Sequence, residues 1–167
     1  VRRGWGMVDR NQERISSLVM DMLTFSKERD PQRVEADLNE TISDVVQLMQ
    51  SRANDSGVEL IWNQAASMPP ASFDPDAMHQ AILNLVTNAI DAVKSEDDSA
   101  SGGQAGGKVC IQTAYDAEVG WIVDVIDNGP GVSAEDRAKI FSLFESNKGA
   151  RGTGLGLPVS AKILKEH

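Results

Sequence analysis

Two runs rich in β-branched residues, Lys108 to Tyr115 and Val119 to Asp127, are separated only by Asp116-Ala117-Glu118. So short a connection joins antiparallel neighbours, because parallel neighbours need a crossover of about a dozen residues or more. The hairpin therefore argues against a doubly wound parallel sheet. Its second strand also delivers an acid, Asp127, into Asn128-Gly129-Pro130-Gly131, a turn lined by backbone rather than side chains.

The flanking segments complete the outline. Val8, Asn11, Ile15, Leu18, Met22 and Phe25 are spaced 3, 4, 3, 4, 3, the a/d seam of a coiled coil or bundle. Val19 and Leu23 widen that seam towards bundle packing, and Asp30-Pro31 ends the helix. Such a stripe can lie on its own domain or face a second chain. Its unbroken run up to a polar break favours the second arrangement, a homodimer. Asp37 and Glu40 resemble a capping box ahead of a helix with the stripe Leu38, Ile42, Val45, Val46, Met49 and Ala53. Val58 to Trp62 reads as a strand with Val58, Leu60 and Trp62 on one face, and Ala71 to Phe73 as a short edge strand.

Asp74-Pro75 is a strong helix start, an N-cap acid followed by proline, and the helix runs to about Val93. Ser95 to Gly107 is Gly/Ser/Asp-rich and reads as a surface loop. Ser133 is expected to cap a short helix carrying Ile140, Phe141 and Phe144. A lid-like stretch from Glu145 to Thr153 leads into a last helix from Gly154. This order predicts an α+β fold, a two-layer sandwich of a mixed, mostly antiparallel sheet with helices on one face, preceded by a long N-terminal helix. A Rossmann site would need its glycines inside a βαβ unit, and the Gly-Lys-Ser/Thr ending of a P-loop is missing.

Composition narrows the function classes. A net charge of −9 leaves no general basic face, so neither nucleic acid nor an anionic membrane is an expected partner. No apolar run is long enough to span a bilayer. The single cysteine, Cys110, reads as a small buried hydrophobe, which removes disulfides and cysteine metal sites. A start at Val1 without methionine suggests a piece of a longer protein.

Three clusters could carry chemistry. On the 75–93 helix, Gln80, Asn84, Thr87, Asn88 and Asp91 fall on the side opposite the apolar stripe. A solvated face is the ordinary reading, but such faces favour Lys, Glu and Gln. Asparagine is a mediocre helix former, so two of them one turn apart suggest a use for their carbonyl oxygens. A hard cation such as Mg²⁺ takes oxygen ligands and keeps several waters, so one or two amides plus phosphates would hold it. Asp127, if buried at its strand end, would accept from an exocyclic amine while the glycines let a flat base lie on the backbone. Its plain alternative is an acid opening a tight turn. Gly152, Gly154 and Gly156 offer successive amides at a helix N-terminus, an anion site. Lys148 and Arg151 stand just before them, either near a phosphate or simply on an exposed loop.

Asn84-Leu85-Val86-Thr87-Asn88-Ala89-Ile90, Asp127-Asn128-Gly129-Pro130-Gly131, Ile140-Phe141-Ser142-Leu143-Phe144 and Gly152-Thr153-Gly154-Leu155-Gly156-Leu157 resemble the N, G1, F and G2 boxes of sensor histidine kinases, in family order and spacing. The resemblance covers residues 34–167 as the Bergerat-fold ATP-binding catalytic domain. Residues 1–30 resemble the second helix of the dimerisation domain. It implies that Asp127 binds the adenine amino group, that Gly129 and Gly131 line the base, and that Asn88 is the main Mg²⁺ ligand with Asn84 assisting. It implies a phosphate track along Gly152, Thr153, Gly154, Leu155 and Gly156, Lys148 reaching the γ-phosphate, and Phe141 and Phe144 packing the lid hinge. Related ATPases carry a glutamate at the position of Asn84 to activate water. An amide cannot act as that base, so phosphoryl transfer fits better than hydrolysis.

The implied function is transfer of the γ-phosphoryl of ATP to a histidine in two-component signalling, with a response-regulator receiver domain as partner and a cytoplasmic location, which is compatible with a membrane-anchored parent protein. Alternatives are a Bergerat-fold ATPase or serine kinase, and a non-catalytic nucleotide-gated dimerisation module. The family's acceptor histidine lies on a first dimerisation helix not found here, so His79 and His167 are expected to be structural. The family domain also usually continues into two further strands, whose absence would expose a sheet edge.

Overall fold

The structure, a computed structural model, describes residues 30–93, 106–137, 139–144 and 153–167, together with Gln12, Ile15, Ser16, Val19, Met22 and Leu23. Those last six positions are helical, and Ile15, Val19, Met22 and Leu23 are exposed. The rest of the predicted seam lies outside the described residues, as do most of the loop after Val93 and most of the lid, Lys148 and Gly152 included.

The elements that follow are β1 (Val34–Ala36), α1 (Leu38–Asp55), β2 (Glu59–Asn63), β3 (Ala71–Phe73), α2 (Pro75–Val93), β4 (Lys108–Asp116), β5 (Gly120–Asp127), α3 (Ala134–Arg137) and α4 (Gly156–Glu166). The fold is α+β with a mixed sheet, as expected, but the strands form two separate sheets. β1 pairs antiparallel with β3, and a second sheet has the order β2-β4-β5, parallel between β2 and β4 and antiparallel across the hairpin. β1 had no sequence signal, since three residues are too few for alternation to register.

Helix α1 starts where Asp37 accepts from the Asn39 amide at 2.8 Å, so the cap bond goes to Asn39 rather than to the expected Glu40 position. It buries Leu38, Ile42, Val45, Met49 and Ala53 against Val86, Ala89, Ile90, Val109 and Ile111 in the main core. Each Leu, Ile, Val or Met among them contributes about 1.5–3 kcal/mol by leaving water. Asn39 is buried too, its oxygen accepting from Thr113 Oγ at 2.9 Å, so the polar group costs little. Cys110 departs from expectation. Val109 and Ile111 face the core, so strand alternation turns Cys110 outward, where it is half-buried against Asn63.

The Asp116 turn closes the hairpin. Its carboxylate accepts from the amides of Val119 at 2.9 Å and Glu118 at 2.8 Å, and these bonds hold it below the ordinary aspartate value. At the same end, Trp121 donates from Nε1 to the Pro69 carbonyl at 2.8 Å, tying the segment before β3 to β5. The short helix after Ser133 ends at Arg137. Ser133 Oγ does cap it, accepting from the Asp136 amide at 3.1 Å. The expected continuation through Ile140, Phe141 and Phe144 is replaced by tight turns such as Ser142 N to Lys139 O.

Candidate nucleotide site

Helix α2 is the wall on which the site is built. Asp74 caps it by accepting from the Ala77 amide at 3.1 Å, and Pro75 occupies its first position. Its predicted polar stripe divides between two jobs. Asp91 forms an ion pair with Arg52 at 2.9 Å, and Thr87 Oγ lies 4.0 Å from Met49 Sδ, so these two residues bind α2 to α1. Asn84, Asn88 and Ala92 stand one turn apart on the neighbouring line, and both glycine turns come to that line.

At one end, the Asn84 amide donates to the Gly156 carbonyl at 3.2 Å and reaches Ser160 Oγ at 3.5 Å. At the other, Gly129 lies so close to the Ala92 carbonyl that a Cβ would come within 3.1 Å of its oxygen. Half-buried Asn88 is midway between the two contacts. The residues named from the sequence as Asn84, Asn88, Gly129 and Gly156 are thus brought onto one side of one helix.

Asp127 ends β5, opposite Val109 in the register. The turn after it is held by its own groups: the Gly129 amide donates to Asp127 Oδ1 at 2.9 Å, and Asn128 exchanges bonds with Lys108 through both backbone and side chain. Gly131 has φ +75°, a conformation that glycine adopts without steric cost. The carboxylate differs from the sequence expectation in being exposed rather than buried. Among the described residues β5 is a sheet edge, and its end opens to solvent.

The second glycine turn enters α4. Gly154 has φ +67° and its carbonyl accepts from the Phe144 amide at 3.1 Å, which closes the base of the lid. Phe144 itself sits at φ +63°, and Phe141 and Phe144 are exposed instead of packing a hinge. Leu155 has a structural role beside the one expected. Its side chain is buried with Ala81, Val159 and Ile163, and its amide donates to Thr153 Oγ at 3.3 Å. It anchors the turn, while Gly156 and Leu157 supply first-turn amides and Pro158 supplies none.

A metal here would rest on few protein groups. Among the described residues no cluster of three His, Cys, Asp or Glu could hold an ion. The asparagine amides still fit a hard, water-rich cation, which takes one or two protein oxygens and completes its shell with waters and phosphate. The described residues include no helix long and apolar enough to cross a membrane. Sequence reasoning missed Ser160, whose buried hydroxyl lies 2.9 Å from the Gly156 carbonyl and 3.2 Å from that of Ala81. A serine inside an apolar helical stripe was its only signal.

Comparison with known proteins gives the family. Residues 73–167 match the family described as histidine kinase-, DNA gyrase B- and HSP90-like ATPases. The sensor histidine kinase ZraS of Escherichia coli strain K12 is 32% identical over 155 residues, which cover 93% of this chain and 31% of ZraS. Full-length ShkA in complex with AMPPNP superposes with a TM-score of 0.78 at 25% identity, over 98% of this chain and 34% of ShkA. Histidine kinase ThkA, solved in complex with the response regulator protein TrrA, gives a TM-score of 0.70 at 27% identity, over 94% of this chain and 42% of that one. The chain thus spans about a third of the length of ZraS and of ShkA.

Proposed function

The chain belongs to the histidine kinase-, DNA gyrase B- and HSP90-like ATPase family, and from that premise we propose that it is the ATP-binding catalytic portion of a two-component sensor histidine kinase. One observation carries the reading: both glycine turns meet the asparagine line of α2, Gly129 at Ala92 and Gly156 at Asn84. A base laid on Gly129 and Gly131 puts its exocyclic amine at Asp127, and the phosphates then run past Asn88 towards the amides that open α4.

Asn88, with Asn84 beside it, would hold Mg²⁺, which when bound neutralises charge on the phosphates. The chain's own contribution is positioning. The Gly156 and Leu157 amides face anionic oxygens, aided by the helix dipole, and Lys148 supplies a cation to the γ-phosphate. In the transfer, the bond from the γ-phosphorus to the β,γ-bridging oxygen breaks and ADP leaves. A new bond forms from that phosphorus to an imidazole nitrogen. The acceptor is a histidine from outside the ATP-binding unit, as the family resemblance implies; His79 lies within α2, and both ring nitrogens of His167 are engaged, with Asp74 and Ile163. Phosphoryl transfer is favoured over hydrolysis because Asn84 is an amide whose nitrogen is committed to Gly156.

A response-regulator receiver domain is the expected downstream partner, by likeness to ThkA. Residues 1–30 would belong to the dimerisation helix and residues 34–167 to the catalytic domain. Exposure of Ile15, Val19, Met22 and Leu23 supports a helix that meets a second copy.

Calorimetric titration with Mg-ATP tests the reading. The parent should bind, and Asp127→Asn and Asn88→Ala should each weaken binding by about tenfold or more, equivalent to about 1.4 kcal/mol. Equal affinity in all three sinks the site assignment. Radiolabelled ATP should leave no acid-labile label on His79 or His167.

A further inference from the structure

Helix α4 has one end in the candidate nucleotide site and the other on the segment that leads to the N-terminal helical positions. At the site end, the Gly156 carbonyl accepts from Asn84, and buried Leu155 pins the turn. At the far end, the Arg33 guanidinium donates to the Glu166 carbonyl. That carbonyl belongs to the last turn of α4, where a cation interacts favourably with the helix dipole.

A second link runs through Asp74. The Gln32 amide donates to Asp74 Oδ2 at 2.9 Å, and the Asp74 amide donates to His167 Nε2 at 3.0 Å. His167 is oriented in turn by Nδ1 against the Ile163 carbonyl at 2.7 Å. For the imidazole to accept at Nε2, its proton must be on Nδ1, which is the nitrogen that faces the carbonyl. Residues 32 and 33 are therefore clamped to α4 twice, once directly and once through the N-cap of α2.

We propose that α4 couples the nucleotide site to this linker, so that an occupied site tightens the clamp and a released clamp weakens nucleotide binding. The proposal rests on the nucleotide-binding reading above. Its physical basis is that one rigid helix carries both attachments. An anion at the N-terminus and a guanidinium at the C-terminus stabilise the same dipole from opposite ends. Anything that shifts or tilts α4 must change both sets of bonds together. The two states are the clamped linker and one in which Arg33 and Gln32 have left α4 and Asp74. A ligand shifts that equilibrium only by binding one state better, and the linkage is reciprocal. The consequence for a kinase is that the linker, and the helix it leads to, registers whether nucleotide is bound.

The test uses the whole chain, Mg-AMPPNP as probe, and two readouts: calorimetric affinity, and amide hydrogen exchange at Gln32 and Asp74. Nucleotide should slow exchange at both amides of the parent. Arg33→Ala and His167→Phe should speed that exchange and weaken AMPPNP binding by about fivefold, the low end of ordinary coupling. Arg33 is on the surface, so its replacement leaves the core intact. His167→Gln, whose side-chain oxygen can accept from the Asp74 amide, should recover most of the loss. Faster exchange in the variants with parental AMPPNP affinity overturns the coupling. So does a parent that binds AMPPNP with no change in exchange. A parent that binds no AMPPNP overturns the nucleotide reading and the coupling with it.

Discussion

The side-chain amide of Asn84 donates to the carbonyl of Gly156 at 3.2 Å, so a residue of α2 holds the first residue of α4. Ser160 Oγ is also within hydrogen-bond distance of that carbonyl, at 2.9 Å, so loss of Asn84 does not strand it. Asn84→Ala should therefore cost only about 1 kcal/mol of stability in urea unfolding. Its effect on phosphoryl transfer to a separately supplied acceptor helix should be much larger. Equal losses in both measurements would mean that Asn84 is purely structural.

Gly129 leaves little room for a side chain. A Cβ would sit 2.8 Å from Asp127 Oδ1 and 3.1 Å from the Ala92 carbonyl oxygen, and the latter is backbone that cannot rotate away. Gly129→Ala should destabilise by about 1–3 kcal/mol and displace the Asp127 turn, weakening ATP binding. Gly120→Ala is the control. Its Cβ meets nothing within 4 Å, although φ is +98°, so it should lower stability through backbone strain and leave ATP affinity alone.

Leu155→Ala tests whether this residue is an anchor. Its side chain is buried beside Val159 and Ile163, so truncation should cost about 2–5 kcal/mol by transfer and cavity terms. Leu155→Met keeps the volume and should cost less than about 1.5 kcal/mol. If thermal unfolding midpoints of the two variants coincide with the parent, the anchor assignment fails.

The hairpin turn should respond to acid. The Asp116 carboxyl is held below its ordinary value by the Val119 and Glu118 amides, so its ionised form favours the folded state. That contribution is complete above the unfolded value near about 3.9 and is lost as pH falls through the lower folded value. Asp116→Asn should flatten the part of the stability curve that lies below about pH 4. NMR titration of the Asp116 carboxyl should give a midpoint below that of an unfolded aspartate.

Much of this was legible in the sequence, for identifiable reasons. Helix α2 announces itself by Asp74-Pro75 and a long stripe, and the hairpin by a three-residue connection, so local rules sufficed. Asn84, Asn88, Gly129 and Gly156 stand out because amides and glycines are unusual at those positions, and the fold gathers them along one line of α2. Three things were not legible. β1 is too short to show alternation and depends on pairing with β3. The exposure of Asp127 depends on which strand forms the sheet edge, a tertiary matter. Leu155 sits among glycines that suggest ligand contact, yet the direction of its side chain is set by Ala81 and Val159.

The line from Asn84 through Asn88 to Ala92 is also a ruler. Eight residues of helix measure about 12 Å, and both glycine turns are fastened to its marks. One residue inserted between 84 and 92 would lengthen that measure by only about 1.5 Å, but it would rotate one mark by about 100° away from the other. Length and phase cannot be changed separately in an α-helix. The separation of the two glycine turns is therefore quantised by helical turns, and in the proposed nucleotide site that separation sets the reach from base to phosphate.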